Sequence, residues 1–403
     1  MGPLENVRVV ELATYLAATT CARVMADWGA EVIKVEPIKG DVYRRVGGPT
    51  QLAPITETAN PAFDNHNSGK KYVSLNLRSA EGMEAFHRLL ETADVFVTNN
   101  RPDALEAMHL DYDSLKEKYP KLIFAHVLGY GEEGPDRNKP GFDFTAFFAR
   151  SGILADLAPA GGPPCSVVTG MGDHAVSIAL VGGICAALYR RTVTGRGEKV
   201  DCGLLQVGCF LLQAPIQSGY YGRVMPRTRM KPNQANSNTY QCSDGEWIFV
   251  TAMDYVRNFP TLCNEVIDRP DLLKDPRFAD QASYFKHTTE LVEIYDEIFK
   301  TKTQDEWCEL LAKADIPCER LQHFRDLPTD PQVLANHYLY EHTYEDGTKT
   351  VFANAPIHFG SIDYANYRFQ TSGPIGCDND EVLQGVGYTK EEMERLRAEG
   401  NIK

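Results

Sequence analysis

Apolar residues in the first 130 positions fall into short runs that alternate with helically spaced stretches. Residues 7–12 (VRVVEL), 31–36 (EVIKVE), 94–98 (DVFVT) and 121–128 (KLIFAHVL) read as strands. Residues 17–28 set Ala18, Cys21, Ala22, Met25 and Trp28 on one helical face before Gly29 stops the helix. Residues 79–92 do the same with Ala80, Met83, Phe86, Leu89 and Leu90. Strand and helix in alternation predict βαβ units and a mostly parallel sheet, an α/β fold. A long helix is expected from Asp173 to Arg191, then a turn at TGRGE (194–198) and a strand at 199–201. From residue 222 the chain turns polar and rich in turn formers. A strand at 247–253 and helix-rich sequence to about 315 follow. The expected organisation is a large domain over 1–205, a linker over 206–224 and a smaller α+β domain over 225–325. Residues 326–403 form a linker and a C-terminal return to the large domain, with a strand at 350–352 and a closing helix at 390–400.

Composition narrows the class. The 403 residues carry 41 Lys+Arg against 55 Asp+Glu, a net charge of −14, so the basic excess of a nucleic-acid binder is missing. Hydrophobic content of 43% and charged content of 24% are those of a globular protein. The longest uncharged apolar run, 175–189, falls short of the ~18 residues a membrane span needs and is expected to be a buried helix. The start, MGPLENVRVV, has neither the signal-peptide pattern nor a myristoylation motif, and a cytosolic protein is expected. None of the ten cysteines stands in a C-x-x-C pair. They read as reduced structural thiols, with Cys185 and Cys209 inside apolar helical runs. There is no H-E-x-x-H and no G-x-S-x-G, so neither a metal site nor a serine hydrolase is expected.

GYGEEG at 129–134 matches G-x-G-x-x-G and follows a strand, yet it leads into PDRNKPG, which cannot start a helix. Glu132 and Glu133 would repel phosphates. A dinucleotide site is therefore not expected there. VVTGMGDHAVSIALVGG at 167–183 is more informative. Asp173 follows a glycine-flanked turn at the head of an apolar helix. It suits an N-cap, worth ~1 kcal/mol, and equally a carboxylate held ionised by the helix dipole and presented to a cleft kept open by Gly170 and Gly172.

In series, several segments resemble the class III CoA-transferases, the formyl-CoA and carnitine CoA-transferase superfamily, over nearly the whole chain. They are MADWGAEVIKVE (25–36), GD-x-x-R (40–44), the N-x-x-K-K segment from 67, ADVFVTNNRP (93–102), GYGEEGP (129–135), GMGDH (170–174) and TGRG (194–197). Within that superfamily, PGFDFTAFFARSG (140–152), GMGDH and KADIPCE are most similar to the 2-hydroxyacyl-CoA transferases of amino-acid fermentation. The resemblance implies a Rossmann-like large domain plus a small domain in an interlocked homodimer, with light scattering at micromolar concentration as the check. It implies CoA and acyl-CoA as substrates rather than as a resident cofactor, and a small carboxylic acid as the partner.

The same resemblance makes Asp173 the nucleophile. Its attack on an acyl-CoA thioester gives a mixed anhydride and free CoA thiolate, and an incoming acid then exchanges with the acyl group. Gly170, Gly172 and His174 are implied as oxyanion donors through their backbone, with Phe142 beside the substrate. The resemblance places Tyr15, Leu16, Ala17, Leu75, Arg78, Asn99, Asn100, Arg101 and Met108 along the CoA cleft, and by charge Arg44, Arg78, Arg101 and Lys139 are candidates for its phosphates. Arg45, Lys70 and Lys71 are further basic candidates for its phosphates. Pro37 and Ala107 stand where formyl-CoA transferases carry arginines, and NQANSNTY (233–240) replaces their glycine-rich covering loop. Among Phe142, Phe144, Phe147 and Phe148, at least two are expected in the core and the others suit an aryl or branched acyl chain. The alternative activity is that of the 2-methylacyl-CoA racemases, which use a His in a G-H-D context; here the segment is Gly141-Phe142-Asp143, and phenylalanine moves no proton. The other alternative is a non-catalytic CoA-binding protein.

Overall fold

The computed structural model describes residues 2–46, 53–223, 228–367 and 370–403. The expected boundary between residues 224 and 225 lies outside the described residues. Chain contacts divide the protein into one unit of residues 1–154, 166–213 and 328–403 and a second of 155–165 and 214–327.

The first unit is built on six parallel strands: β1 (Arg8–Leu12), β2 (Glu31–Glu36), β3 (Lys71–Ser74), β4 (Val95–Thr98), β5 (Ile123–Leu128) and β6 (Lys199–Gly203). Their spatial order is 3-2-1-4-5-6, so the chain works outward from β1 in one direction and then from β4 in the other. At that reversal the loops leaving β1 and β4 diverge and open a crevice at the carboxyl ends of the strands. β3 was not read from the sequence, because KKYVS is short and opens on two lysines. It is an edge strand. Asp378 accepts its Tyr72 N–H at 2.7 Å and Asn379 its Ser74 N–H at 2.9 Å, so side chains from the C-terminal segment close that edge.

Two helices lie together on one face of this unit. Ala17–Asp27 buries Ala17, Ala18, Cys21, Ala22, Val24 and Met25, and its small residues let the Met171–Thr194 helix approach closely. The latter runs 24 residues, longer than the run expected from the sequence, and by length and composition it could cross a membrane. Here its buried face of Val176, Leu180, Val181, Ile184 and Ala187 joins the core of this unit. Phe147 and Phe148 are core residues at 1% and 3% exposure, whereas Phe142 and Phe144 stand exposed. Cys209 is exposed on the Leu204–Leu211 helix, which corrects its expected core placement.

The second unit is α+β. An antiparallel sheet of β7 (Ser237–Gln241), β8 (Trp247–Thr251) and β9 (Cys318–Arg320) packs on the Thr288–Phe299 and Gln304–Lys313 helices. Tyr240, Tyr295, Phe299 and Trp307 fill the core, and the buried hydroxyls of Tyr240 and Tyr295 donate to Ala235 O and Asn236 Oδ1. Residues 235–238 of the NQANSNTY segment are thus anchored in this core and in β7.

Candidate active site

A cavity of about 270 Å³ opens at the crevice between the ends of β1 and β4. Four segments supply most of its walls, and Tyr43, Val46 and Leu204 complete them. The first, after β1, supplies Tyr15, Leu16 and Ala17, and the second, after β4, supplies Asn99, Asn100 and Arg101. The third runs from β5 through Gly129 to Phe144, and the fourth brings Thr169 and Asp173. Asn99 ties the first two together: its Oδ1 accepts Thr14 N–H at 3.1 Å and its Nδ2 donates to Thr14 O at 2.7 Å. Asn100 donates to Leu12 O at 3.2 Å. Both amides are committed to holding the crevice in shape. Tyr15 sits at φ 60°, a left-handed conformation that non-glycine residues adopt at a cost of order 1–3 kcal/mol and that recurs at functional sites. Its ring meets Phe142 edge-on at 5.6 Å.

The third loop explains the glycine motif at 129–134. A Cβ on Gly129 would lie 2.8 Å from the Cα of Gly141, so two backbone segments touch there. No helix follows these glycines; turns continue to a π-helical turn at Asp143–Ala149. Such turns re-aim side chains and recur at functional sites. Here Thr145 accepts Phe142 N–H at 3.0 Å and fixes Phe142 at the cavity wall.

Asp173 is the third residue of the Met171–Thr194 helix and not its N-cap; Gly170 is, at φ 88°. The capping carboxylate belongs to Asp143, 27 and 29 residues away. Its Oδ2 accepts Gly170 N–H at 2.6 Å and its Oδ1 accepts Gly172 N–H at 2.8 Å. Gly172 must be glycine, since a Cβ would sit 2.2 Å from the Phe147 ring and 2.5 Å from Asp143 Oδ1. This corrects the expected oxyanion donors. The Gly170 and Gly172 amides are taken by Asp143, and His174 N–H donates to Gly170 O at 2.8 Å.

Nor does the helix dipole hold Asp173 ionised. Burial first, and then the negative charge of Asp143, raise its pKa from 3.8 to about 7. Burial also raises Asp143, although the amides it caps pull the other way. The His174 ring stacks on His66 at 5.3 Å, and burial lowers both imidazole pKa values, helped by the nearby cation Arg23. Both rings are therefore neutral near pH 7. A half-buried carboxylate that titrates near neutrality in a cavity has the basicity of a nucleophile or general base. Asp143→Asn removes the like charge, so the acid limb of the pH–rate profile is expected to move to lower pH than in the wild type. An unmoved limb would show that Asp143 acts on packing alone.

The remaining expected residues divide cleanly. Tyr15, Leu16, Ala17, Asn99, Asn100, Arg101, Lys139, Phe142 and Asp173 line the cavity; Leu75, Arg78, Met108, Gly170, Gly172 and His174 do not. Leu75 is a core residue at 1% exposure, Met108 packs against the same cluster, and Arg78 is exposed on the surface. Arg44 is corrected as a phosphate ligand: its guanidinium holds Glu36 at 2.7 and 2.8 Å and Gly373 O at 3.0 Å. Lys70 is fully enclosed on Glu11 at 2.7 Å, and Lys71 bridges Glu31 and Glu381. Arg45 donates to Lys39 O at 3.4 Å and, among the described residues, to nothing else. Arg101 and Lys139 are thus the expected cations at the cavity, and Arg137, which sequence reasoning missed, joins them. Tyr43, Val46 and Leu204 were missed too, although Tyr43 lies inside the GD-x-x-R segment. Among the described residues no cluster of His, Cys, Asp and Glu could hold a metal ion.

Comparison with known proteins shows the family to which the chain belongs. The family model for CoA-transferase family III matches residues 4–376. The chain is 42% identical over 395 residues to the (R)-2-hydroxy-4-methylpentanoate CoA-transferase of Clostridioides difficile, covering 98% of each chain. It is 37% identical over 402 residues to the cinnamoyl-CoA:phenyllactate CoA-transferase of Clostridium sporogenes, covering 98% of this chain and 96% of that one. Among solved structures, a CaiB/BaiF family protein from Brucella suis superposes with a TM-score of 0.80 at 27% identity, covering 96% of this chain and 99% of its own. A parallel α/β sheet, a carboxylate at its switch-point cavity and matches over nearly the full length agree: the chain belongs to CoA-transferase family III.

Proposed function

We propose that this CoA-transferase moves CoA between an acyl-CoA thioester and a 2-hydroxy carboxylic acid with a bulky apolar side chain, through an acyl anhydride on Asp173. One observation carries the reading: Asp173, with a pKa raised to about 7, lines a cavity with an apolar wall and a basic rim. Leu16, Val127, Phe142, Phe144 and Leu204 offer the apolar surface, and Arg101, Arg137 and Lys139 the cations for the CoA phosphates. Lys139 is braced by the Tyr130 ring, 5.2 Å away. The printed acids of the two relatives, 2-hydroxy-4-methylpentanoate and phenyllactate, both join a 2-hydroxyl to a branched or aryl side chain. That chemistry suits this wall. The reaction exchanges one thioester for another and needs no external energy source. The anhydride must be kept from water, which the enclosed carboxylate favours.

The homodimer belongs to the same proposal. Tyr189, Val193, Phe210 and Leu211 stand exposed on two helices of the first unit, apolar surface that a second copy would cover. A monomer at micromolar concentration by light scattering would count against it.

The test is intact-protein mass spectrometry after incubation with cinnamoyl-CoA and hydroxylamine. The wild type should carry a CoA thioester or a hydroxamate at Asp173, and Asp173→Ala neither. Exchange of the α-proton of a 2-methylacyl-CoA with deuterated water, without any adduct, would replace transfer by racemisation. CoA binding with neither signal would leave a binding protein.

A further inference from the structure

We propose that the phenol of Tyr43 donates the hydrogen bond that stabilises the oxyanion formed when Asp173 attacks a thioester carbonyl, which makes Tyr43 a catalytic residue. The inference rests on Asp173 being the nucleophile. It starts from a shortage of donors, because the amides of Gly170, Gly172 and His174 are already spent within the protein.

Tyr43 lines the cavity that Asp173 lines. The residue is only 5% exposed, yet its hydroxyl makes no hydrogen bond among the described residues and is not one of the sealed, unpartnered polar atoms. A buried tyrosine normally finds a partner for its O–H. Here the open direction is the cavity.

Its mounting is rigid. Tyr43 sits on the short 3₁₀ turn Val42–Arg45, where Asp41 accepts its N–H at 2.9 Å and is itself paired with Lys34 at 3.0 Å. On the other side Arg44 is locked to Glu36, and Asn60 Nδ2 donates to Arg44 O at 2.8 Å. The ring meets His66 edge-on at 5.6 Å and is tilted against Tyr15 at 6.2 Å. The charges of GD-x-x-R therefore serve as the frame, and the side chain between them reaches the cavity. Fixed donors aimed at developing charge need no reorganisation during reaction, which is the source of their catalytic effect.

The charge environment keeps the phenol a donor. Asp41 and Arg44 on its own turn with Lys34 behind it, His66, Tyr15 and Asp173 surround it, and Arg101, Arg137, Lys139 and Asp143 share its cavity. Burial, and then Asp173 and Asp41, raise the phenol's pKa, so it stays protonated at neutral pH. In the step itself an Asp173 oxygen bonds to the carbonyl carbon, and the π pair moves onto the carbonyl oxygen against the Tyr43 O–H. As that pair returns, the C–S bond breaks and CoA leaves as thiolate. Tyr43 keeps its proton throughout.

Tyr43→Phe preserves the ring and removes the donor. It is expected to lower kcat for CoA transfer by about 10²–10³-fold with KM within a few-fold, while the melting temperature stays put. The wild type should lose activity at high pH as the phenol ionises, and the variant's residual rate should lack that limb. A variant within threefold of wild-type kcat overturns the proposal, and so does a deficit that keeps the alkaline limb. Replacing all tyrosines by 3-fluorotyrosine, whose phenol is more acidic, must move the wild-type limb to lower pH; an unmoved limb also overturns it. Hydroxamate formation in the same samples separates the two readings. If the wild type forms none, the nucleophile assignment falls and this one with it. If both proteins form it at equal rates, Tyr43 alone is dismissed.

Discussion

Asp173→Asn is expected to lower kcat at least about 10⁴-fold and, above pH 7, to melt at a higher temperature than the wild type. The first effect follows from the proposed role of Asp173 as covalent nucleophile, because an amide cannot form the acyl anhydride. The second follows from the same carboxylate's folded-state pKa. In the unfolded chain Asp173 ionises near 3.8, and in the folded chain near 7. Between those values the folded state holds a proton that the unfolded state has released, so stability falls as pH rises. The loss is absent below pH ~4 and complete above pH ~7. A shift of about three units corresponds to on the order of 2–4 kcal/mol, partial exposure setting the lower end. Asparagine has no such titration. Melting curves of the two proteins from pH 4 to pH 8 should coincide at the acid end and separate towards neutrality. Parallel curves would mean that the raised pKa is wrong, and the acid limb of the activity profile would then need another source.

The same carboxylate marks where sequence reading stops. GMGDH pointed to Asp173, and Asp173 does line the switch-point cavity. Its electrostatics were misjudged because the partner that sets them, Asp143, lies 30 positions earlier beyond a π-helical turn, a distance no periodicity spans. The sheet was legible where strands are apolar and bounded by turn formers, as at Glu31–Glu36, whose ends match the expectation. β3 was not, since its edge is completed by residues 300 positions away. Basic residues misled in a third way. Arg44 and Lys70 looked like phosphate ligands because the sequence displays charge and hides partners. One signal was available: Glu11 and Glu36 each follow apolar residues within a strand, where a buried acid requires a buried base.

That buried cluster leads to the second large effect. Glu11→Gln is expected to destabilise the six-stranded unit by about 3–5 kcal/mol at pH 7, the cost of leaving buried cations short of a counter-charge. Glu11 is fully buried at the end of β1 and receives both Lys34 at 2.8 Å and Lys70 at 2.7 Å. Lys34 continues to Asp41 at 3.0 Å, so two ammonium groups face two carboxylates with no solvent between them. Lys70 also donates to Thr19 O, His66 O and Asn67 Oδ1. Burial, with Lys34 adding to it, lowers the Lys70 pKa from 10.5 to about 8 even with Glu11 in place. Without Glu11 that pKa falls further. A base with a depressed folded-state pKa destabilises at low pH and is relieved as pH rises towards its unfolded value. The deficit of Glu11→Gln should therefore be largest at pH 6–7 and shrink towards pH 10. Urea unfolding at these pH values gives the answer, and a variant within 1 kcal/mol of wild type at pH 7 would sink the account. The cluster also fixes the site. Lys34 holds Ala13 O on the loop to Tyr15, and through Asp41 it holds the turn that carries Tyr43. Activity should therefore fall in Glu11→Gln even at pH 9, where most of the fold is retained, because two walls of the Asp173 cavity share this one anchor.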